Sequence, residues 1–469
     1  MSMSIPSVLQ PGQIGSNPEQ RIDTDILEPV IFTSSFIRYQ LQNKGLLNPQ
    51  SRITFSLKDH GGADSFFPLG LGVGSIVERA TLKISGVTIC EVQDWNHYQA
   101  YKSMFIDQSV IKEREQYNSA RLMSNGVVYD PNTNISDKVG LDIGKEFLQS
   151  AAGAEDLSVH TFQKLASDPV FSVTLDDLFP ALAGIQLPLF MISGDVNLEL
   201  TLTDAVGKRA CLSSAGDNST TAFNLDQNEC RMIADYTFLD GDEMEAFRSA
   251  NRDFSFMFLE PRLTKTTLAT QADAQNVIRN VGGAGRLVKS MFVGVTSSKM
   301  SVHNSASGTG NSKTLLNDYR AIAPQMTAAK TYGQLVSNVK KNDEFLYPLD
   351  RSNSALHFHG VADTEGSPPH VTRAEYARQG NSLTTQSFEG YAMGGAGTSA
   401  ATAGNELAGQ FFWNAYRLND GERVDSRGLE LHHKYQNLAV AEAPYTSRCW
   451  IELQKVMRIT DGSVDCYYA

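Results

Sequence analysis

The chain has 469 residues, with 40 Lys and Arg against 52 Asp and Glu, 37 Gly, 16 Pro and five Cys; 41% of it is hydrophobic. That composition excludes wholesale disorder, a collagen-like repeat and a disulfide-stapled miniprotein, and the length suggests two or three domains, each with its own core. No stretch holds the roughly 18 apolar residues needed to span a bilayer, residues 1–20 lack the basic and apolar regions of a signal peptide, and a formal charge of −12 argues against a protein that coats nucleic-acid phosphates.

In chain order, the first segment is polar and carries Pro6, Pro11 and Pro18. It reads as an extended arm over residues 1–27, of which Met1–Thr24 would be ordered only by neighbours or an inner layer. Val30–Leu41 reads as a strand. Ile53, Phe55 and Leu57 then alternate with Arg52, Thr54 and Ser56, and a period of two places one set on each face of a sheet. The cluster Asp59-His60-Gly61-Gly62 reads as a turn. Gly70, Gly72 and Gly74 precede Ser75-Ile76-Val77, which looks extended; a phosphate cradle would need a helix N-terminus there, so these glycines read as a turn or bulge. Ala80–Val92 reads as one strand, and Asp94–Met123 as a helix capped by Asp94.

Asp176 and Asp177 could be paired acids, but they read better as the start of a short turn-helix with Asp as N-cap. Val196, Leu198, Leu200 and Leu202 alternate with Asn197, Glu199 and Thr201 in a long strand. The small, polar stretch Ala205–Asn228 reads as a loop, and Arg231–Phe238 as a strand. Gly241–Ala250 has acids in its first turn and Arg248 near its end, which suits the helix dipole. It lies near mid-chain and reads as a connector. Beyond it, Phe254–Leu259, Leu287–Thr296 and Trp450–Ile459 read as strands, with turns at Gly282-Gly283-Ala284-Gly285 and Asp461-Gly462. Gln379–Gly409 is a second long loop. Many short strands without strand–helix alternation make an all-β sandwich or barrel.

Chemistry-bearing residues are sparse. Cys90, Cys211, Cys230, Cys449 and Cys466 are scattered, without the close ligand pairs of a zinc site, and read as buried free thiols. His357 and His359 would share one face of a strand, a metal-compatible placement, with His370 and Asp363 as weak third candidates; His432 and His433 would point to opposite faces. Lys340 and Lys341, followed by Asn342, Asp343 and Glu344, read as a solvated loop or helix end. No GxSxG, SxxK or HExxH signature occurs. Asn134 and Asn218 lie in glycosylation sequons that would matter only on a secreted chain. The reading is of no enzyme, with no catalytic, cofactor-binding or metal residue and no cofactor.

Three segments carry a resemblance. They are Glu28–Leu57, Leu175–Thr203 and Ala234–Pro261. In the third, Tyr236-Thr237-Phe238-Leu239-Asp240 ends a strand, an acidic-then-basic helix follows, and Phe254–Leu259 opens a new strand. In order and spacing these segments resemble the double jelly-roll major capsid proteins of large eukaryotic DNA viruses, virophages and polinton-like viruses. The resemblance implies two consecutive eight-stranded jelly-roll sandwiches with a few short helices and long loops. It divides the chain into an N-terminal arm (1–27), a first jelly roll (28–240), a linker helix (241–251) and a second jelly roll (252–469). It implies a homotrimer of pseudo-hexameric outline that tiles an icosahedral virion shell. The implied partners are neighbouring capsomers, penton and minor capsid proteins and an internal membrane, without sequence-specific nucleic-acid binding. It places the protein in the virion after synthesis in the host cytoplasm. The alternative is a β-sandwich carbohydrate-binding or adhesive protein, which predicts aromatic or acidic residues converging on a loop end. A β-sandwich hydrolase would rest on His357 and His359 alone.

Overall fold

Sixteen strands of four or more residues carry the fold among the described residues, eight before the mid-chain helix and eight after it. The structure is a computed structural model and describes residues 21–58, 65–66, 72–103, 105–106, 110, 114, 147–148, 170–203, 212–213, 224–225, 227–268, 275–297, 334–346, 355–366, 413–418, 422–435 and 445–469. Alternation is the cause of most strands. In Val196–Leu202 the side chains of Val196, Leu198, Leu200 and Leu202 are buried, while Glu199 and Thr201 face partly outward.

The first eight strands are β1 (Arg21–Leu27), β2 (Phe36–Leu41), β3 (Arg52–Lys58), β4 (Val77–Ile84), β5 (Val87–Gln93), β6 (Val170–Thr174), β7 (Val196–Leu202) and β8 (Met232–Phe238). One antiparallel sheet runs β6-β3-β8 and continues through the short strands Leu46–Leu47 and Leu187–Pro188, with β1 also on β8. The other runs from Ile31–Phe32 through β2-β7-β4-β5. Ile37, Tyr39, Ile53, Phe55, Leu82, Leu198 and Tyr236 are among the residues of the core between them.

The second eight are β9 (Asp253–Leu268), β10 (Gln275–Gly282), β11 (Val288–Ser297), β12 (Gln334–Lys341), β13 (Asn414–Arg417), β14 (Leu429–Tyr435), β15 (Tyr445–Thr460) and β16 (Ser463–Tyr468). One sheet runs β9-β15-β11-β13 with β16 on the far half of β15; the other runs β10-β14-β12 and ends at Glu344–Phe345. Met291, Val293, Val339, Leu429, Leu431, Cys449, Ile451 and Leu453 pack between these two sheets. No strand of the first group hydrogen-bonds in a sheet with one of the second among the described residues.

Among the described residues, the α-helices with both ends described are α1 (Trp95–Ser103), α2 (Leu175–Leu178), α3 (Gly241–Ala250) and α4 (Ala355–Glu365). The connector α3 forms over the expected residues, with the Asp240 carboxylate accepting the Gly241 N–H at 2.7 Å.

Several local expectations are corrected. Residues 21–27 fall in the expected extended arm, but β1 pairs along its whole length with β8 of the same chain. Val30–Leu41 is broken between Phe32 and Phe36. Ala80–Val92 is a hairpin, because Ser85 and Gly86 both take positive φ and close a two-residue turn. A 3₁₀ turn occupies Gly72–Ile76, so the strand starts at Val77 and not at Ser75. Gly74 is required there, since a Cβ would come within 2.7 Å of the Trp95 ring. Conversely, β9 and β15 extend to sixteen residues each and pair along their full length. Pro261 is tolerated in β9 because β9 is an edge strand. The turns at Gly282–Gly285 and Asp461-Gly462 are present, each with positive φ. The loop Gln379–Gly409, the turn at residues 59–62, and Cys211, Asn134, Asn218 and His370 lie outside the described residues, as does most of Ala205–Asn228.

Candidate functional site

The most concentrated chemistry lies where the two groups of strands meet. Strands β5 and β9 are the facing edges of two sheets, and a side chain bridges them. Glu260 of β9 accepts the Glu91 backbone N–H of β5 at 3.2 Å, so a carboxylate satisfies an edge donor that a neighbouring strand would otherwise take. The same carboxylate accepts from Lys455 Nζ at 2.9 Å and from the Tyr468 hydroxyl at 2.6 Å. Lys455 also reaches the Thr88 carbonyl at 3.4 Å, and the Cys466 thiol lies 3.7 Å from the Ile89 carbonyl.

Helix α1 leaves β5 through Asp94 and packs on the opposite end of β15. Asp94, the residue before the helix, takes φ +48°. Its carboxylate joins Arg448 at 2.9 Å and Lys265 at 2.6 Å. Helix α1 ends at Ser103, before a turn at Phe105 and a bend at Ile106; of the rest of the expected helix to Met123 only Val110 and Arg114 are described, and both are helical. One turn further along α1, the Tyr98 hydroxyl donates to Glu452 at 3.0 Å, and Lys102 meets Glu452 at 2.8 Å and Glu365 of α4 at 2.9 Å. Ser290 donates to the other oxygen of Glu452. Around these charges, Tyr101 stacks on Phe292 at 4.0 Å, Phe292 stacks on Trp450 at 5.4 Å, and Trp413 closes the cluster.

Burial makes these pairs consequential. It pushes the Asp94 carboxyl up, but His97, Arg448 and Lys265 outweigh it and hold the group below its ordinary range. Burial first, then Arg448, drives His97 well below its usual value, so at neutral pH the lasting cations are Arg448 and Lys265. Burial likewise opposes ionisation of Glu452, and Lys102 together with the Ser290 and Tyr98 donors reverses it. Lys102 is held charged against its own burial by Glu452 and Glu365. Every member has a partner, so the site can hold two groups of strands in one arrangement. It presents no nucleophile–base pair, and no cluster of three metal-ligating side chains occurs among the described residues.

The residues singled out from sequence lie elsewhere. His357 and His359 are in α4, not in a strand, and residues two apart on a helix are about 200° apart around its axis, so the shared face is lost. Asp363 is exposed on the same helix. His432 and His433 do point to opposite faces of β14, His433 inward and His432 toward Glu430 at 3.5 Å. Asp176 and Asp177 sit in the first turn of α2, whose N-cap is Thr174, not Asp. They have separate partners, Gln50 at 2.7 Å for Asp176 and Arg114 for Asp177. Burial raises Asp177 to about 6 against the pull of Arg114. Lys340 and Lys341 end β12 at a two-residue hairpin, where Asn342 and Asp343 take positive φ. The solvated-loop reading fails because Lys341 is buried against Glu422 at 2.9 Å. Cys90, Cys230 and Cys449 are buried free thiols and Cys466 is half-buried; burial foremost pushes Cys90 and Cys449 up to about 12.

Sequence reasoning missed the seam. Asp94 and Arg448, like Tyr98 and Glu452, are 354 residues apart, and no local pattern connects them. The available signal was the polar residues Arg448, Glu452 and Lys455 inside an apolar strand run.

The two groups of strands, each built round a pair of antiparallel sheets, the first with a small third sheet of the two-residue strands Ser65–Phe66, Phe147–Leu148 and Leu212–Ser213, make the fold a double jelly roll. Solved structures share it along almost the whole chain. A chain in a quasi-atomic model of the PBCV-1 virus capsid superposes with a TM-score of 0.54 at 13% identity, covering 96% of this chain and 97% of that one. PBCV-1 VP54, in a crystal structure fitted into a reconstruction of the virophage Sputnik, gives the same four values. The Sputnik virophage structure itself matches with a TM-score of 0.51 at 12% identity, covering 96% of this chain and 88% of that one. No protein-family profile and no curated protein matches the chain.

Proposed function

We propose that the protein is a major capsid protein, a structural subunit and not an enzyme. The observation that carries this reading is the end-to-end likeness to viral capsid chains, which spans both groups of strands at once. A shared single sandwich would say little about function, because such folds host many activities. A shared pairing of two sandwiches over 96% of the chain is far more restrictive.

In this reading the chain divides into an N-terminal arm (1–27), whose residues 21–27 lie on the first jelly roll as β1, a first jelly roll (28–240), a linker helix (241–251) and a second jelly roll (252–469). Three copies make a homotrimer of pseudo-hexameric outline that packs against neighbouring capsomers in an icosahedral virion shell. Penton and minor capsid proteins and an internal membrane are its further partners, and the host cytoplasm is where it is made. The buried seam supports the assignment physically. A lattice subunit must resist shear between its two sandwiches, and paired buried charges fix their mutual position more specifically than apolar contact alone. Each contact between capsomers can be weak, because many act together.

The test is electron microscopy of the purified full chain. Trimers of hexagonal outline, or shells and sheets built from them, are expected. Monomers that bind glycans on an array would overturn the reading in favour of a β-sandwich adhesive protein.

A further inference from the structure

Arg279 stands where the pattern of its strand calls for an apolar residue. On β10 it shares a face with Val281, and its register partner on β14 is the buried Leu431. Its side chain crosses the second sandwich, and Nη2 donates to the Ser447 hydroxyl of β15 at 2.6 Å. Nε and Nη1 are shielded from solvent and have no hydrogen-bond partner. Ser447 and His433, both buried, line the same interior, and Ser337 beside them holds the Tyr416 hydroxyl at 2.5 Å.

A guanidinium stays charged in a protein; Arg279 is half-buried, and leaving two of its donors shielded from water without an acceptor is costly. Water could fill the spare donors but would leave the charge uncompensated. Among the described residues the neighbours supply no counter-charge: Ser447 is neutral, and burial first, then Arg279, holds His433 in its uncharged form. Arg279 makes no ion pair with a described carboxylate. The position also suits entry. Ser447 is the third residue of β15, His433 the third from the end of β14, and Arg279 the fifth of β10, so all three lie toward one end of the sandwich.

We propose that this end of the second sandwich binds one small inorganic oxyanion of the phosphate class, held by Arg279 with Ser447 and His433 as flanking polar groups. The groups that form it all belong to the two facing sheets of the second sandwich of one subunit.

The test uses the full chain dialysed into a phosphate- and sulfate-free buffer at fixed ionic strength. Isothermal titration with inorganic phosphate should show saturable binding of one anion per chain, and phosphate should raise the melting temperature along the same curve. Arg279→Met should weaken binding at least tenfold, and Ser447→Ala, a milder change that keeps the guanidinium, several-fold. Absence of saturable binding to the wild-type chain would overturn the proposal. So would equal affinity in Arg279→Met and wild type. If Arg279→Met fails to fold, unchanged affinity in Ser447→Ala would count against the site.

Discussion

Glu452 shows how much a single side chain can carry. It sits on β15 but takes Lys102 and Tyr98 from α1 and Ser290 from β11, and almost none of it reaches solvent. Removing it by Glu452→Ala strands Lys102 between Glu365 and an apolar wall and leaves two hydroxyls without their acceptor. A cost of about 3–5 kcal/mol is expected, the usual range for breaking one side of a buried pair. The check is the midpoint of chemical denaturation against wild type. The seam also sets a pH window. The folded-state pKa values of Asp94 and Glu452 lie below their unfolded values, so their contribution is full above the unfolded carboxylate range of about 4 and is lost as pH falls below that range and through the lower folded-state values. Lys102 is shifted upward, so its contribution holds below about 10.4 and fades as pH rises beyond it. Melting temperature measured from pH 3 to 7 should therefore fall on the acid side, and Glu452→Gln should flatten that fall. An identical slope in the variant would contradict the assignment.

Elements show which parts of this fold sequence can reveal. Strands with period-two alternation were legible because burial on one face imposes the pattern directly: Val196–Leu202 and Arg231–Phe238 lie where alternation places strands. The connector helix was legible because its cap, acids and terminal Arg are all local. Breaks inside apolar runs were not. Ala80–Val92 hides a hairpin whose only cue is Ser85-Gly86, and the His357–His359 segment follows a helical backbone that its short sequence does not announce. The candidate site was illegible for a different reason, since its partners come together only when β5, α1 and β15 pack. Two substitutions test the elements themselves. Gly74→Ala forces a methyl group into the Trp95 ring and should cost about 1–3 kcal/mol, read from the unfolding midpoint. Asp240→Ala removes the acceptor at the start of α3 and should cost about 1 kcal/mol, while leaving the β-sheet circular dichroism signal unchanged.

At the scale of the molecule, two sandwiches are joined with no continuous sheet between them among the described residues. Their edges meet through Glu260 and Lys455, and their cores run together through Phe254, Phe256, Phe258, Trp450 and Met457, which pack in one cluster with the first group of strands. In the proposed role such a unit supplies two lobes, from which three copies would build a six-lobed ring, and the net charge of −12 belongs to a subunit that does not itself condense a genome. The most direct measurement is the mass of the purified chain in solution by light scattering after size exclusion, at concentrations from micromolar upward. A species of about 154 kDa, three times the 51.3 kDa chain, is expected to dominate, with larger assemblies growing from it. A chain that stays at 51.3 kDa across that range, with its fold intact, would contradict the proposed role as a trimeric capsid subunit.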